Sequence, residues 1–235
     1  MAERFYTPDP LAPGEYTLTG AEAHHLAAVR RFGPGDRVVL FNGDGNDYPA
    51  QIVAAAKKSV TLRVTSAEAA DRELGFPLVV ASALPKGDRA DFLVEKLTEL
   101  GVTRLVPLVT ARSVVLPKPS AAEKFRRAVV EASKQCGRNR LMAVDPPQKW
   151  ADFLTLEDLP ANRFVLHTGP GLPRLPARAG AAVAVGPEGG FTADELAAAT
   201  ATGWVAVGLG PRVLRVETAA VAAAAILGGA PGAAQ

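Results

Sequence analysis

V-A-V-G-P-E-G-G-F-T-A-D-E, from Val183 to Glu195, and L-G-P-R-V-L-R-V-E-T-A, from Leu209 to Ala219, frame the rest of this chain. An apolar strand, Ala181 to Val185, runs into the turn Gly186-Pro187-Glu188-Gly189-Gly190. Thr192-x-x-Glu195 then opens a helix as a capping box, hydroxyl and carboxylate each serving a backbone N–H at the helix start. The second run repeats the order. Val205-Ala206-Val207 is a short strand, Gly208-Leu209-Gly210-Pro211 a loop, and Glu217 to Leu227 an alanine-rich helix stopped by Gly228-Gly229. Strand, glycine loop, helix is the order that places a ligand beyond the C-terminal ends of strands in an open α/β sheet. Glycine lets the backbone approach that ligand and adopt positive φ. The same residues also suit plain strand–helix connections, which glycine and proline mark. G-x-x-G-G is neither the dinucleotide fingerprint nor a P-loop, since no Gly-Lys-Ser/Thr follows.

Outward from these runs, the pattern back to Phe76 alternates strands with helices, which predicts a parallel sheet. Leu78 to Leu84 is a buried strand, and Asp88 caps a helix over Arg89 to Leu100 with Leu93, Leu97 and Leu100 on one face. Val102 to Val109 is a second strand. Ser120-x-x-Glu123 caps a helix reaching about Cys136, and Phe164-Val165-Leu166 is a strand ending at His167-Thr168-Gly169. Upstream, the character changes. Thr19-x-x-Glu22 predicts a helix over Ala21 to Arg31, carrying His24 and His25. Val38 to Phe41, Tyr48 to Ala54 and Val60 to Val64 read as short strands, the first two joined across Asn42-Gly43-Asp44-Gly45-Asn46. Short strands at this spacing suggest a small barrel. Glu68 to Gly75 reads as a linker.

Composition narrows the function classes. The 235 residues carry a net charge of only +2, so no global argument for nucleic acid exists. Locally, Lys118, Lys124, Arg126, Arg127, Lys134, Arg138 and Arg140 form a basic stretch, which fits either a phosphate backbone or a solvated helix face. A single cysteine rules out an intramolecular disulfide framework and, with three histidines, argues against a cysteine-rich zinc site. No apolar run approaches the roughly 20 residues of a membrane span, and Met1-Ala2-Glu3-Arg4 leads into no signal-peptide core. The expectation is a cytoplasmic protein that binds a cofactor or substrate.

Six motifs in order carry a family resemblance. They are Lys86-Gly87-Asp88-Arg89, Glu95-Lys96-x-Thr98-Glu99-Leu100-Gly101, Arg112-Ser113-Val114, Glu131-Ala132-x-x-Gln135-Cys136-x-Arg138, Gly186 to Phe191, and Leu209-Gly210-x-Arg212-x-Leu214-Arg215-x-Glu217-Thr218-Ala219. Together with His25-x-x-x-Val29-Arg30, this set resembles the RsmE family, small-subunit (16S) ribosomal RNA methyltransferases acting on N3 of a uridine. Leu141-Met142 departs from the pattern, which has a proline soon after the arginine. The resemblance implies a PUA-like β-barrel over residues 1–72 for RNA and a SPOUT α/β domain over residues 73–235. In SPOUT domains a deep trefoil knot and a mostly parallel sheet bind S-adenosylmethionine. It also implies a homodimer, ribosomal RNA or the small ribosomal subunit as partner, no membrane and no metal.

The resemblance carries over to particular positions. The cofactor would lie on Leu166, His167, Thr168 and Gly169, on Val185 to Gly190 through Gly186, Pro187, Glu188 and Gly189, on Leu209, Gly210, Val213 and Leu214, and on Thr218 and Ala219. Arg112, Arg212 and Arg215 are the candidates to stabilise the uracil anion. Glu217 or Glu188 would accept the N3 proton or orient an arginine. RNA would meet Arg4, His25, Arg30, Arg31, Lys86, Arg89, Arg126, Arg127 and Arg138. Two rivals differ in class. A non-catalytic RNA-binding protein with a vestigial knot would fail to bind the methyl donor. A nicotinamide-dependent oxidoreductase would need the G-x-G-x-x-G that the chain lacks.

Overall fold

The computed structural model describes residues 3–56, 58–115 and 119–230; Lys57, Lys118 and the Ser120 side chain fall outside the described set. The chain divides into two units, Met1–Glu73 with Ser133–Leu141, and Leu74–Ala132 with Met142–Gln235.

In the first unit, β1 (Arg4–Tyr6), β2 (Gly14–Thr19), β3 (Arg37–Phe41), β4 (Asn46–Ala56) and β5 (Ser59–Val64) form a sheet in the order β1-β3-β4-β5-β2; β6 (Glu68–Ala69) pairs with β4. β1 and β3 run parallel and the other pairs antiparallel. Alternate residues face inward, so Phe5, Leu40, Ile52 and Leu62 meet Leu18 and Leu26 in one core. The predicted helix over 21–31 is instead a short α1 (Gly20–His24) followed by a π-helical turn, His25–Val29. Thr19 makes no capping bond. Glu22 is drawn elsewhere, accepting from the Tyr6 N–H at 3.2 Å and from Lys134 Nζ at 2.9 Å.

A buried set of charges joins the two segments of this unit. Arg4 Nη1 and Arg72 Nη1 hold the two oxygens of Asp47 at 2.7 and 2.8 Å. Arg72 also donates to the Gly137 carbonyl at 2.8 Å, and Arg4 to the Arg138 carbonyl at 3.2 Å. Arg138 pairs with Glu73 at 2.6 Å. Arg4 and Arg138 are 7% and 3% exposed. Both were expected at an RNA surface. Their guanidinium groups are committed to internal carboxylates and carbonyls, so they hold the unit together and present no charge to a ligand.

In the second unit, β7 (Leu78–Ala83), β8 (Arg104–Val109), β9 (Ala143–Val144), β10 (Gln148–Lys149), β11 (Asn162–Leu166), β12 (Ala181–Val185) and β13 (Val205–Val207) form a parallel sheet. Its order is β10-β8-β7-β12-β11-β13, with β9 also on β8. Every residue of β7 and of β12 is buried, as a parallel sheet covered on both faces requires. On one face lie α2 (Asp88–Glu99) and α6 (Val216–Gly228), which pack on each other, α6 also touching β7 and β12. Gly87, one residue before the predicted cap, is the N-cap of α2. On the other face Val79, Ala81, Ala182 and Ala184 meet an aromatic group from α4 (Trp150–Leu154) and the segment around α5 (Ala193–Ala201). Trp150 stands 4.5 Å from Phe191, and Phe153 5.3 Å from Trp204. The long α3 (Pro119–Cys136) completes the elements, with Phe125, Val129 and Ala132 buried.

Strand order positions the site. β13 lies beside β11 at the sheet edge, yet α6 lies against β7 and β12. The intervening segment 208–215 therefore passes back across the carboxyl ends of the strands, over the loops that follow β11 and β12.

Candidate functional site

Three loops close around a cavity of about 380 Å³ at the carboxyl ends of β11, β12 and β13. Its walls are Leu166 to Thr168, Val185 to Phe191, and Leu209, Gly210 and Arg212 to Leu214; Val216 and Ala219 of α6 and Arg112 complete it. The volume falls in the range of small-molecule sites. Leu166, Val185, Leu209, Leu214 and Val216 supply apolar surface, and Gly186, Gly189, Gly190 and Gly210 let the backbone come close.

The glycines have separable tasks. Gly190 and Gly210 have φ of +68° and +121° with open space where a side chain would start, so backbone conformation is what selects glycine there. Gly186 is selected by space. A Cβ on it would lie 3.0 Å from the Phe191 ring, which backs the loop from below. The Thr192–Glu195 capping box forms as predicted: Glu195 N–H donates to Thr192 Oγ1 at 3.1 Å and Thr192 N–H to Glu195 Oε2 at 2.8 Å.

Of the residues expected to hold a cofactor, all but Gly169 and Thr218 line the cavity. The catalytic candidates divide. Arg112 and Arg212 line the cleft, and Arg112 Nη1 donates to the Gly189 carbonyl at 2.7 Å. Arg215 is the exposed N-cap of α6, outside the lining. Glu217 also lies outside it and is 6% exposed. Its Oε1 is 3.5 Å from Arg89 Nη1, and Oε2 is buried without a hydrogen-bond partner. Arg89 also approaches Glu188 Oε1 at 3.9 Å. Glu217 therefore stands as the ion-pair partner of Arg89, outside the cleft lining.

The nucleic-acid candidates divide as well. In the first unit Arg31 is exposed and, alone among the described non-glycine residues, has positive φ, +59°. Arg30 pairs with Glu3 at 2.6 Å on the surface, and His25 lies edge-on to the Phe5 ring at 6.0 Å. In the second unit Lys86, Arg126 and Arg127 are exposed, whereas Lys124 pairs with Asp91 at 2.6 Å.

Sequence reasoning missed Phe191 and Val216 in the lining. A signal for Phe191 existed: an apolar residue just before an N-cap, with another at the fourth helical position, here Leu196, is the hydrophobic-staple pattern. Both pack in the aromatic cluster. Among the described residues no group of His, Cys, Asp and Glu is placed to hold a metal, and no helix is long and apolar enough to cross a membrane.

Comparison with known proteins bears on both units. Residues 72–228 match a family model described as an RNA methyltransferase domain, and residues 18–65 one described as an RNA methyltransferase PUA domain. The chain is 34% identical to ribosomal RNA small subunit methyltransferase E of Synechocystis, covering 93% of this chain and 74% of the relative. It is 32% identical to the protein of that name from Bacillus subtilis, over 87% and 86%. A methyltransferase from Legionella pneumophila, solved with the cofactor SAM, superimposes with a TM-score of 0.88 at 32% identity over 97% of both chains. Ribosomal RNA small subunit methyltransferase E of Neisseria gonorrhoeae, bound to S-adenosyl methionine, gives 0.86 at 29% identity over 96% of both.

Proposed function

Because this chain belongs to the RNA methyltransferase family, in the company of ribosomal RNA small subunit methyltransferase E, we propose that it transfers a methyl group from S-adenosylmethionine to N3 of a uridine in small-subunit ribosomal RNA. The observation that carries this reading is the cavity of about 380 Å³, walled by three loops and rimmed by Arg112 and Arg212. The residues present suit the methyl donor: apolar side chains for adenine, glycine backbone for close approach, and the Glu188 carboxylate for its positive charge.

Bound there, S-adenosylmethionine supplies an electrophilic methyl group on a sulfonium. The residues of the chain supply position and charge. Uracil N3–H is a weak acid, and its anion carries charge on O2 and O4. Arg112 and Arg212, on two edges of the cleft, stabilise that charge as it develops. Glu188 is exposed at the same rim and is the carboxylate available to take the N3 proton. Glu217 pairs with Arg89 and orients it.

Residues 1–72 bind RNA in this reading and residues 73–235 carry out the transfer, with Ser133–Leu141 adding to the RNA-binding unit. Arg31, Lys86, Arg126 and Arg127 contact phosphates, which makes affinity salt-dependent. We also assign the enzyme to the cytoplasm as a homodimer. Phe92 of α2 and Ile226 of α6, 46% and 38% exposed on two helices that pack together, support an apolar face that a second copy covers.

Calorimetric titration with S-adenosylmethionine, with NAD as control, followed by mapping of the base methylated in ribosomal RNA, tests the proposal. The methyl donor alone binds, and 3-methyluridine appears at one position. Absence of methylation on both naked RNA and the assembled subunit returns the chain to the non-catalytic RNA binder.

A further inference from the structure

The loop that carries Arg112 leaves the carboxyl end of β8 and closes on itself. Thr110 N–H donates to the Ser113 hydroxyl at 2.9 Å, and Ser113 N–H donates to the Thr110 carbonyl at 3.1 Å. From this turn Arg112 reaches the Gly189 carbonyl and the cleft. The turn is also tied from far along the chain: Ala111 N–H donates to Glu195 Oε1 at 2.8 Å. Oε2 of the same carboxylate accepts the Thr192 N–H that completes the capping box. The Glu195 backbone is held in turn, its carbonyl accepting from Trp150 Nε1 at 3.0 Å. Capping occupies one oxygen of Glu195. The other serves the neighbour of Arg112.

We propose that Glu195 is a positioning residue for methyl transfer, fixing the turn that presents Arg112 so that the guanidinium is in place before RNA arrives. The inference rests on the cleft being the methyl-transfer site and on Arg112 acting in it. The physical grounds are two. A hydrogen bond to a carboxylate is stronger than a neutral one, so one N–H suffices to pin a four-residue turn. A charge placed in advance stabilises a developing anion without reorganising at the moment of reaction.

The test uses the full chain, with kcat and KM for donor and RNA, donor affinity and melting temperature measured for each variant. Arg112→Ala lowers kcat. Glu195→Ala reproduces its split between kcat and KM, with kcat lower by about tenfold or more, and adds less than about twofold in the Arg112→Ala background, because a turn without its arginine has nothing left to present. Glu195→Gln, which keeps one acceptor, recovers part of the loss. Thr192→Ala breaks the Glu195 N–H cap but leaves the Ala111 bond. It lowers the melting temperature, while kcat stays near the wild type.

Several results overturn the inference: wild-type kcat in Glu195→Ala beside an impaired Arg112→Ala, a Thr192→Ala loss equal to that of Glu195→Ala, or additive losses in the double variant. If Glu195→Ala does not fold, Glu195→Gln carries the comparison. An Arg112→Ala enzyme at wild-type rate removes Arg112 and this inference together, with the site intact. A wild-type protein that neither binds the donor nor methylates RNA removes the reading of the site itself.

Discussion

Three arginines, 112, 212 and 215, share a motif-level resemblance but not an environment. Arg112 and Arg212 line the cleft, while Arg215 occupies the N-cap of α6 outside it. Charge stabilises a transition state only where the charge develops, so place outweighs residue type. Arg212→Ala is therefore expected to lower the single-turnover methylation rate by roughly a hundredfold with donor affinity little changed. Arg215→Ala is expected to fall far short of that. Equal losses in the two would show that position in the cleft does not matter. The glycine loops of the cleft were legible in the sequence because glycine after a strand carries a local signal; its arginines were named only through the family resemblance. The burial of Arg4, Arg138 and Glu217 was not legible. Each is settled by a partner far away in sequence, Asp47, Glu73 and Arg89 respectively, and nothing local distinguishes a paired arginine from a surface one.

Among the elements, the turn between β3 and β4 shows how a readable motif acquires a pH response. Asp44 accepts from the Tyr48 hydroxyl at 2.6 Å and from the Asn46 N–H at 2.8 Å. Slight burial would raise its pKa, but the bonds from Tyr48 and Asn46 outweigh it and leave the carboxyl below its ordinary 3.8. A depressed carboxylate contributes stability above its unfolded value, and the contribution is lost as pH falls through the folded one. The melting temperature of the wild type should thus drop more steeply below about pH 4 than that of Asp44→Asn. Parallel curves would deny the turn this role. Asp44 raises the Tyr48 pKa in return, ahead of burial, so Tyr48 contributes in the opposite sense, a stabilisation lost only as pH rises above 10.0. Turn, strand and long-helix signals such as these were legible from glycine placement and apolar spacing. The short α1 and its π-helical turn were not, because Thr19-x-x-Glu22 has the spacing of a capping box while Glu22 serves Tyr6 and Lys134. β2 escaped notice for a different reason: all but Tyr16 and Leu18 of its residues are exposed, which leaves little apolar alternation to read.

At the scale of the whole molecule, the first unit is discontinuous, residues 133–141 belonging with residues 1–73. A linker at 68–75 predicted a clean cut, but the Glu73–Arg138 pair, with Arg138 4% exposed at its side chain, spans that gap in sequence. Removing one partner of a buried ion pair costs about 3–5 kcal/mol. A fragment ending at residue 73 is accordingly expected to lack a cooperative thermal transition, while the full chain with Glu73→Ala melts at a lower temperature. A fragment that melts sharply would mean that the charges across the gap contribute little. The same discontinuity sets a timetable during synthesis. A nascent chain that has released only its first 73 residues cannot complete this sheet's charge network. Arg4 and Arg72 wait for carbonyls, and Glu73 for a guanidinium, still to be translated, and the unit that emerges first is finished only after β7, α2, β8 and α3 have followed it out.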